Sequence, residues 1–485
     1  MEKITTVKKF LIEHAKLNPV SFHMPGHKGA AFYKRFGHND FLENFIDCDV
    51  TEIIGADNLF LTEGILKEAQ DVYSELYDSR KSYLLINGSS SGIIAAILAS
   101  VSKGKKLIMA RNCHKSVFNT LTLADIQPIY AYPELNDDYD ISGPIPPEEI
   151  DLLLKNNPDA DAVILPSPNY YGICSDIEAI SDIVHRNNKI LIVDQAHGAH
   201  LKIFSKYGIT ELPESAEESG ADIVINSTHK TLASLTQSAI LNLNSDRVSH
   251  YMIEDKLQCI ESTSPSYVLM TSLDINAGIL KTHGYELMQD WIDNLNYFYD
   301  EAIKIPGLEL IDRIPGMDWT KINFSFRKFG ISGHELEQLL LAKNIFIELY
   351  TGDLVMSMTG IGNTRDDFRA FLEALTEISE NRINNQTDST SYASEENATK
   401  HVLAFKRAAI YEIPKKAKRV PLMEAEGLIC KMSVIPYPPG VPLVCPGEKF
   451  ERETLLYIQT LREKEEKVIG VNSAGEVLAG DCHSY

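Results

Sequence analysis

Residues 221–243 read ADIVINSTHKTLASLTQSAILNL, and this stretch decides the fold because residues capable of chemistry follow directly after an apolar run. The run, Ile223 to Ile225, leads into a serine, a threonine, a histidine and Lys230. A second apolar run, AILNL, begins at Ala239. A lysine after a buried strand is usually a surface residue, because its ammonium must stay in water or find a partner. Taken alone, the stretch predicts a strand, a polar loop and a second strand.

Similar short apolar runs recur between residues 80 and 245. They are YLLI from 83, LIMA from 107, IYAY from 129, AVIL from 162, ILIV from 190 and IVI from 223. Continuous rather than alternating hydrophobicity is typical of strands buried on both faces, and the spacing leaves room for crossover helices. We therefore expect an α/β domain with a mostly parallel sheet, helices on both sides, and AILNL as an antiparallel neighbour.

Composition excludes several classes of protein. The chain has 485 residues, 44% of them hydrophobic and 24% charged, with a net charge of −22. These values are typical of a soluble protein with two or three domains. The negative charge argues against nucleic acid or an anionic membrane as partner, whereas a small cationic substrate would be tolerated. The absence of a signal-peptide pattern, and seven cysteines without a C-x-x-C pair, predict a cytoplasmic protein with reduced thiols and no zinc site.

The predicted domain order follows changes in this pattern. The first nineteen residues predict a short amphipathic helix, with Ile4, Val7, Phe10 and Leu11 on one side. After residue 275, KINFSFRK, NIFIEL and DLVMSMTG predict strands of a smaller α+β domain, and the polar stretch from Asn381 predicts a linker. We expect an amino-terminal segment at 1–60, a large domain at 61–275, a small domain at 276–385, a linker at 386–400 and a C-terminal domain at 401–485.

Polar loops follow five of the apolar runs. These loops are NGSSSG at 87–92, RNCHKS at 111–116, PSPNYYG at 166–172, DQAHGAH at 194–200 and NSTHK at 226–230. In a doubly wound sheet ligands gather at the carboxyl ends of the strands, so the loops are predicted to meet at one edge. Singly, each has an ordinary interpretation: the serines and Asp194 as helix caps, and His114 as a core histidine. We interpret His200 as structural.

Together the loops favour one cofactor. A serine-rich helix start can bind a phosphate. An aspartate at a strand end can hold a proton on a heterocyclic nitrogen, and a histidine can lie flat on the ring. A desolvated lysine with a lowered pKa can form an imine with an aldehyde. Phosphate, ring nitrogen, ring face and aldehyde together describe pyridoxal 5′-phosphate.

The sequence also resembles the Orn/Lys/Arg decarboxylase family. The motifs that carry the resemblance run in family order over nearly the whole chain: FHMPGHKG from Phe22, DVTEIIGADNLF from Asp49, NGSSSG, RNCHKS, PSPNYYG, VDQAHGAHL from Val193, GADIVINSTHKTL from Gly220, STSPSYVLMTSLD from Ser262 and YPPGVPLVCPGE from Tyr437. The resemblance implies pyridoxal phosphate and an aspartate-aminotransferase-like (fold type I) fold with a mostly parallel seven-stranded sheet. The length suggests the compact type without an amino-terminal wing, similar to biosynthetic arginine decarboxylases of Gram-positive bacteria.

Roles for individual residues are implied by the same resemblance. Lys230 becomes the Schiff-base lysine, Asp194 the partner of the pyridine nitrogen, and His114 the residue stacked on the ring. The remaining cofactor-binding positions are Ser89, Ser90 and Ser227 for the phosphate, His197 near the ring substituents, and His229 as a candidate acid or substrate contact. The chain departs from the family pattern at three places: Gln195 in place of glutamate, Asn169 in place of threonine, and an all-serine phosphate loop.

The implied reaction is decarboxylation of a basic amino acid, with L-arginine giving agmatine and CO2 in polyamine biosynthesis. Lysine and ornithine remain alternatives, since candidate acids for the distal group, in DVTEIIGADN and at Glu424 and Glu426, do not separate them. An aminotransferase would need an arginine for the substrate carboxylate. Arg365, in GNTRDDF, is a candidate, but Thr364 before it predicts an ordinary helix start. A non-catalytic regulator would have lost the lysine, the aspartate or the phosphate loop.

The resemblance also implies a homodimer, or an assembly of dimers, with shared sites. FHMPGHKG, which contains His27 and Lys28, precedes the first predicted strand of the sheet and has no evident use there in a monomer. We expect this segment and the SPSY loop around Tyr267 to approach the cofactor of the partner subunit, so that two-fold symmetry makes two equivalent sites.

Overall fold

The structure is a computed structural model that describes residues 6–136, 138–139, 141–311, 313, 316–385, 407–437, 442–464 and 467–481. In chain order its helices are α1 Thr6–Lys16, α2 Ala30–Arg35, α3 Asn39–Glu43, α4 Ile65–Tyr77, α5 Gly88–Ser100, α6 Lys115–Ala124, α7 Pro147–Asn156, α8 Ile177–Arg186, α9 Leu201–Lys206, α10 Thr228–Thr231, α11 His250–Ile260, α12 Tyr267–Ala302, α13 Gly333–Leu341, α14 Arg365–Asn385 and α15 Arg452–Glu463.

The strands form one large sheet and several small ones. In chain order they are β1 Val20–Phe22, β2 Lys81–Leu85, β3 Lys106–Ala110, β4 Gln127–Ala131, β5 Leu135–Asn136, β6 Ile141–Ser142, β7 Ala160–Pro166, β8 Ile190–Asp194, β9 Ile223–Asn226, β10 Ala239–Leu243, β11 Glu309–Leu310, β12 Lys321–Ser325, β13 Ile345–Ile347, β14 Leu349–Thr351, β15 Leu354–Met358, β16 Lys418–Pro421, β17 Ile429–Cys430, β18 Ile435–Tyr437, β19 Lys467–Ile469 and β20 Glu476–Gly480.

The large sheet has seven strands in the order β2-β10-β9-β8-β7-β3-β4. Strand β10 runs antiparallel to both of its neighbours, and the other pairs are parallel. All six apolar runs and AILNL fall in this sheet, so the predicted mostly parallel sheet with one antiparallel member is confirmed. Because β10 pairs antiparallel with both β2 and β9, these two strands run in the same direction. The carboxyl ends of six strands therefore lie at one edge.

Burial on both faces explains the continuous apolar runs. Successive residues of a strand point to opposite faces, and Leu84 and Leu85 of β2 accordingly enter different apolar cores. Leu84 lies in the core that contains side chains of α4 and the long helix α12, whereas Leu85 lies in the core that contains side chains of α5, α6 and α8. Helices thus cover both faces of the sheet, as we expected.

Two smaller units follow the large sheet. Strands β11, β12, β15 and β14 form a four-stranded antiparallel sheet, which confirms the strands predicted in KINFSFRK and DLVMSMTG. NIFIEL supplies β13, which instead pairs in parallel with β1 near the amino terminus. Close to the carboxyl terminus, β16, β20 and β17 form one sheet, and β18 pairs with β19.

Two of the predicted domain boundaries fall at the end of a helix or inside one. Helix α14 continues to Asn385, so the first five residues of the polar stretch from Asn381 are helical, and the predicted linker at 386–400 lies outside the described residues. The predicted boundary at residue 275 falls inside α12, which is continuous from Tyr267 to Ala302. Among the described residues, none of the helices combines the length and apolar content that crossing a bilayer requires.

Candidate active site

A pocket opens at the carboxyl edge of the seven-stranded sheet. Its lining includes residues from all five predicted loops and from the carboxyl-terminal part of the chain: Ser89, Asn112, Cys113, His114, Lys115, Ser142, Pro166, Pro168, Asn169, Tyr170, Tyr171, Asp194, Ala196, His197, Lys230, Ile435 and Ile469. Because β2, β3, β7, β8 and β9 end at the same edge, loops far apart in sequence meet here. The prediction that the five loops converge is confirmed.

Three of the predicted site residues lie outside this lining. Ser90 follows Ser89 in the first turn of α5 and is half-buried. Ser227, which follows β9 and is the N-cap of α10, is fully buried, and its hydroxyl has no hydrogen-bond partner among the described residues. His229 is also buried, and its Nδ1 lies 2.6 Å from the carbonyl oxygen of Ser238. Burial lowers the pKa of His229 to about 4, so this imidazole is neutral near pH 7.

Lys230 lies in the short helix α10, and its amine points into the pocket. The Nζ atom lies 2.8 Å from Nε2 of His197 and 5.9 Å from the centre of the Tyr170 ring. Burial lowers the pKa of Lys230 to about 8, although the charges of Asp194 and Glu348 oppose the shift. An amine with this pKa is partly neutral near physiological pH, and only the neutral form is a nucleophile.

Asp194 ends β8 at the base of the pocket. The side chain is 6% exposed, and its Oδ1 accepts a hydrogen bond of 3.2 Å from the backbone N–H of Ala196. Burial raises the pKa of Asp194, while the Lys230 charge and the Ala196 hydrogen bond act in the opposite direction. This carboxyl group can therefore hold a proton together with a basic partner placed in the pocket.

His114 is the N-cap of α6 as well as a pocket residue. Its Nδ1 accepts a hydrogen bond of 3.3 Å from the backbone N–H of Ser116, so the proton of the neutral ring lies on Nε2. Burial, with a contribution from the Lys230 charge, lowers the pKa of His114 to about 3. The ring is thus a neutral, flat surface fixed in one tautomer.

Gln195 does not face the pocket but anchors the loop after β8. Its Nε2 donates hydrogen bonds of 2.8 Å to Glu217 and 3.0 Å to the Asn226 side chain, and its Oε1 accepts one from the Ala216 amide. The other Glu217 oxygen accepts from the amides of Asn226 and Asn242. A glutamate at 195 would put its carboxylate in contact with that of Glu217. Gln195, which departs from the family pattern, instead donates a hydrogen bond to Glu217.

Asn169 shapes the loop after β7. Its Oδ1 accepts hydrogen bonds from the backbone N–H groups of Tyr171 and Ile173, and its Nδ2 donates one of 2.7 Å to the Ser142 carbonyl. A threonine has no amide group to make these three contacts together. Asn169 therefore holds Tyr170 and Tyr171 at the pocket through the backbone.

Two buried charged residues below the pocket were missed in the sequence. Lys321, the first residue of β12, is fully buried, and its ammonium contacts the Asp318 carboxylate and the His197 carbonyl. Asp318 also contacts Nε2 of His200, and this confirms His200 as a structural residue with satisfied hydrogen bonds. The signal was an aspartate and a lysine three residues apart at the start of an apolar strand, where a charge needs a partner.

The FHMPGHKG segment packs against the Lys230 helix of its own chain. The Gly26 N–H donates to the His229 carbonyl at 2.8 Å, and a Cβ at residue 26 would lie 2.4 Å from the Leu232 carbonyl oxygen. Only glycine permits this approach. Burial lowers the pKa of Lys28 in the same segment to about 7. The segment therefore lies beside the Lys230 helix of its own chain, and its approach to the cofactor of the partner subunit stays a prediction.

The other candidate substrate contacts lie elsewhere. Arg365 begins α14, with its guanidinium 4.3 Å from the Tyr297 ring centre, and Thr364 and Asp367 exchange capping hydrogen bonds, so the helix-start interpretation is confirmed. Glu426 is exposed and pairs with Arg452 at 3.0 Å. The acids of DVTEIIGADN and Glu424 are likewise absent from the described pocket lining.

The Gln195–Glu217 contact gives a testable prediction. Gln195→Glu should lower the free energy of unfolding by about 2 kcal/mol, because a buried carboxylate at 195 would then repel the half-buried Glu217 carboxylate. Adding Glu217→Gln should restore more than half of the loss, since the amide and the carboxylate exchange places. Chemical denaturation followed by circular dichroism measures both changes. Losses that simply add in the double variant would contradict the pairing.

Comparison with known proteins agrees with this geometry. Residues 5–312 match the family model described as Orn/Lys/Arg decarboxylase, major domain, and residues 387–475 match the C-terminal domain of the same family. An arginine decarboxylase of Bacillus subtilis is 33% identical over 463 residues, which cover 92% of this chain and 91% of that protein. An arginine decarboxylase of Bacillus anthracis is 32% identical over 93% of this chain and 91% of its own length.

Solved structures show the same fold. The lysine decarboxylase A of Pseudomonas aeruginosa superposes with a TM-score of 0.75 at 19% identity, over 97% of this chain and 80% of that one. This likeness confirms the predicted aspartate-aminotransferase-like α/β fold with its seven-stranded sheet. Together with the match of the major-domain model to more than half of the residues, it leaves one assignment: the chain belongs to the Orn/Lys/Arg decarboxylase family.

Proposed function

We propose that this protein is a pyridoxal-phosphate-dependent decarboxylase of a basic amino acid, with L-arginine as substrate and agmatine and CO2 as products. One observation carries the proposal: the buried Lys230 amine, with a pKa of about 8, shares a pocket with Asp194, His114 and Ser89. Arginine is the preferred substrate because relatives from B. subtilis and B. anthracis, each matched over more than nine tenths of this chain, are named arginine decarboxylases.

The residues of the pocket fit pyridoxal phosphate. The start of α5 presents backbone N–H groups and the Ser89 hydroxyl, a combination that suits a phosphate. Ser227 adds a buried hydroxyl without a partner, and His197 a buried Nδ1 without a partner, among the described residues. Buried polar atoms are rarely left unpaired, so these two support a polar ligand at this edge. Ser90 and His229 stay candidates through their positions next to Ser89 and Lys230.

The cofactor and the chain divide the chemistry between them. When bound, pyridoxal phosphate supplies an electron-poor ring that accepts the electron pair released as CO2 leaves. Lys230 supplies the amine that holds the cofactor aldehyde, and its lowered pKa keeps part of that amine neutral. Asp194 holds the proton on the ring nitrogen, an electrostatic task for which a buried carboxylate is suited.

The histidines contribute as neutral groups. The pKa of His114 is lowered to about 3 and that of His197 lies well below its usual value, in both cases chiefly because of burial. His114 therefore offers a flat uncharged face to the cofactor. His197 Nε2 lies 2.8 Å from Nζ of Lys230, so the neutral ring forms a hydrogen bond with the amine and fixes its position.

The described pocket lining favours decarboxylation over amino transfer, because its cationic side chains are lysines and none is an arginine. The described lining contains Lys230 and Lys115 but no arginine, and Arg365 lies instead at the start of α14. An arginine that fixed the substrate carboxylate in the plane of the ring would protect the bond that decarboxylation breaks. A non-catalytic regulator is disfavoured because Lys230, Asp194 and the serine loop are all present in one pocket.

A substrate panel tests the proposed function. The purified protein with pyridoxal phosphate should convert arginine to agmatine, identified by mass spectrometry. Cadaverine from lysine or putrescine from ornithine would correct the substrate, and a keto acid would indicate an aminotransferase. Lys230→Ala should form no product, and borohydride should fix the cofactor to the parent chain only. Cofactor fixed to the variant, or no product from the parent, would contradict the proposal.

Asp194→Asn separates catalysis from binding. The substitution keeps the size of the side chain and removes its negative charge, so the ring nitrogen should lose its proton. We expect the rate of decarboxylation to fall by about a hundredfold or more, with a smaller loss of cofactor affinity. The matched control is Asp161→Asn. Asp161 lies in β7 and its carboxylate accepts a hydrogen bond from the backbone N–H of Ser102, so this substitution should leave the rate of decarboxylation unchanged. A near-parental rate for Asp194→Asn would show that the aspartate is only a cap.

We also propose that the protein works in the cytoplasm as a homodimer or as an assembly of dimers. Apolar side chains exposed near the amino terminus support the oligomeric assembly, among them Val7 and Phe10 of α1 and Ile54 and Leu61. Sedimentation velocity should give a dimer or a multiple of one, and a stable monomer would contradict the proposal. If the FHMPGHKG segment serves the partner's site, mixed Lys230→Ala and His27→Ala/Lys28→Ala subunits should regain activity in hybrid dimers, and no recovery would show that it serves its own chain.

A further inference from the structure

Two pocket residues come from the far end of the chain. Ile435 in β18 and Ile469 in β19 line the pocket, whereas the other described lining residues all lie at or before Lys230. The two isoleucines are direct partners in the antiparallel pair β18–β19, so their side chains share a face. We call this pair of side chains the isoleucine wall. Ile435 is 4% exposed and Ile469 is 45% exposed, so the wall borders the pocket, and it does so only if the C-terminal unit is held in a defined position against the large sheet.

A buried ion pair lies where the two units meet. Arg111 directly follows β3, and Glu448 lies in the CPGE turn of the C-terminal unit; both side chains are under 5% exposed. The guanidinium donates to both Glu448 oxygens, from Nε at 2.8 Å and from a terminal nitrogen at 2.9 Å. The pair thus joins the first residue of RNCHKS to the last residue of the YPPGVPLVCPGE motif.

The same arginine holds the backbone next to the isoleucine wall. Its terminal nitrogens donate to the carbonyl oxygens of Pro442 at 2.8 Å and Leu443 at 3.3 Å. Leu443 and Val444 in turn exchange backbone hydrogen bonds of 2.8 and 2.9 Å with Val434, the residue before Ile435. Continuous hydrogen bonds therefore lead from the Arg111 guanidinium to the strand that carries the wall.

The other end of this connection is fixed in the large sheet. The Arg111 N–H donates to the Ala131 carbonyl at 2.8 Å, which extends the pairing of β3 with β4. The next four residues, 112–115, all line the pocket. One arginine therefore fixes the distance between the His114 loop and the opposite wall. Buried ion pairs add little net stability but make a single arrangement costly to leave, and this suits a positioning contact.

We propose that Arg111 and Glu448 are positioning residues that hold the isoleucine wall against the substrate side chain, so that the C-terminal unit helps to set substrate affinity. The inference rests on the proposed function for its substrate. Removing the charge of Glu448 frees the turn and the wall but leaves Lys230, Asp194 and His114 in place. The expected effect is therefore on KM rather than on kcat.

The test compares Glu448→Gln, Ile435→Ala and the double variant, each loaded with pyridoxal phosphate. Each single variant should raise KM for the substrate about tenfold and change kcat less than about threefold. The double variant should have the same KM as Ile435→Ala alone, because the Arg111–Glu448 ion pair acts through the isoleucine wall. A hundredfold rise in the double variant, the product of independent effects, would overturn the proposal. So would an unchanged KM in Glu448→Gln.

A second readout does not depend on turnover. Hydrogen exchange at the amides of Ile435, Tyr437 and residues 467–469 should become faster in Glu448→Gln without substrate, and unchanged exchange would overturn the proposal. Glu426→Gln, which breaks an exposed pair with Arg452 in the same unit, is the matched control and should change neither readout. If Glu448→Gln does not fold, Glu448→Asp replaces it, because its carboxylate is one methylene shorter and loses the two-point contact with Arg111; the same outcomes are required. A parent without turnover would refute the proposed function, while the exchange measurement still tests the ion pair.

Discussion

The burial of the Lys230 ammonium is the constraint on which the rest of the site depends. A lone buried charge is too costly to keep, so the structure surrounds the amine with partners and also lowers its pKa to about 8. Asp194 and Glu348 oppose the loss of charge through their carboxylates. His114 and His197 stay neutral beside it, because a further buried cation would have no compensation. The residues at the carboxyl edge are thus one electrostatic system rather than separate contacts.

That system extends below the pocket into the small domain. Lys321 is a second buried cation, its charge opposes protonation of Lys230, and the Asp318 carboxylate compensates it. Lys321 also contacts the backbone of the loop after β8 at the His197 carbonyl. The small domain therefore supports the position of His197 and contributes to the field at Lys230, although none of its residues belongs to the described pocket lining.

The sequence was sufficient for the large sheet and for the residues at its edge. Strands buried on both faces leave long apolar runs, and the carboxyl end of a parallel strand has a fixed place, so Ser89, His114, Asp194 and Lys230 could be located from their positions after such runs. Contacts between distant parts of the chain left no such signal. Arg111 looked like an ordinary loop residue, because its partner lies 337 positions away.

The polar stretch from Asn381 overlaps the last five residues of α14 for a physical reason. Polar composition after Asn381 is typical of a linker, but the helix is already propagating there, and each added residue needs only one more hydrogen bond to continue. The role of Gln195 was also beyond a single sequence, since the matching acid, Glu217, lies in an unremarkable loop.

The pairing of β1 with β13 has a consequence for how the protein is made. The amino-terminal strand is completed by a strand from the small domain, and Met24 donates to Glu348, which lies 324 positions later. At ribosomal rates of about 5–20 residues per second, this segment emerges about 15–65 s before its partners exist. During that interval the residues of β1 lack the β13 backbone with which they pair. The first residues synthesised are therefore among the last to find their place, and the Lys230 pocket is completed only after most of the chain has left the ribosome.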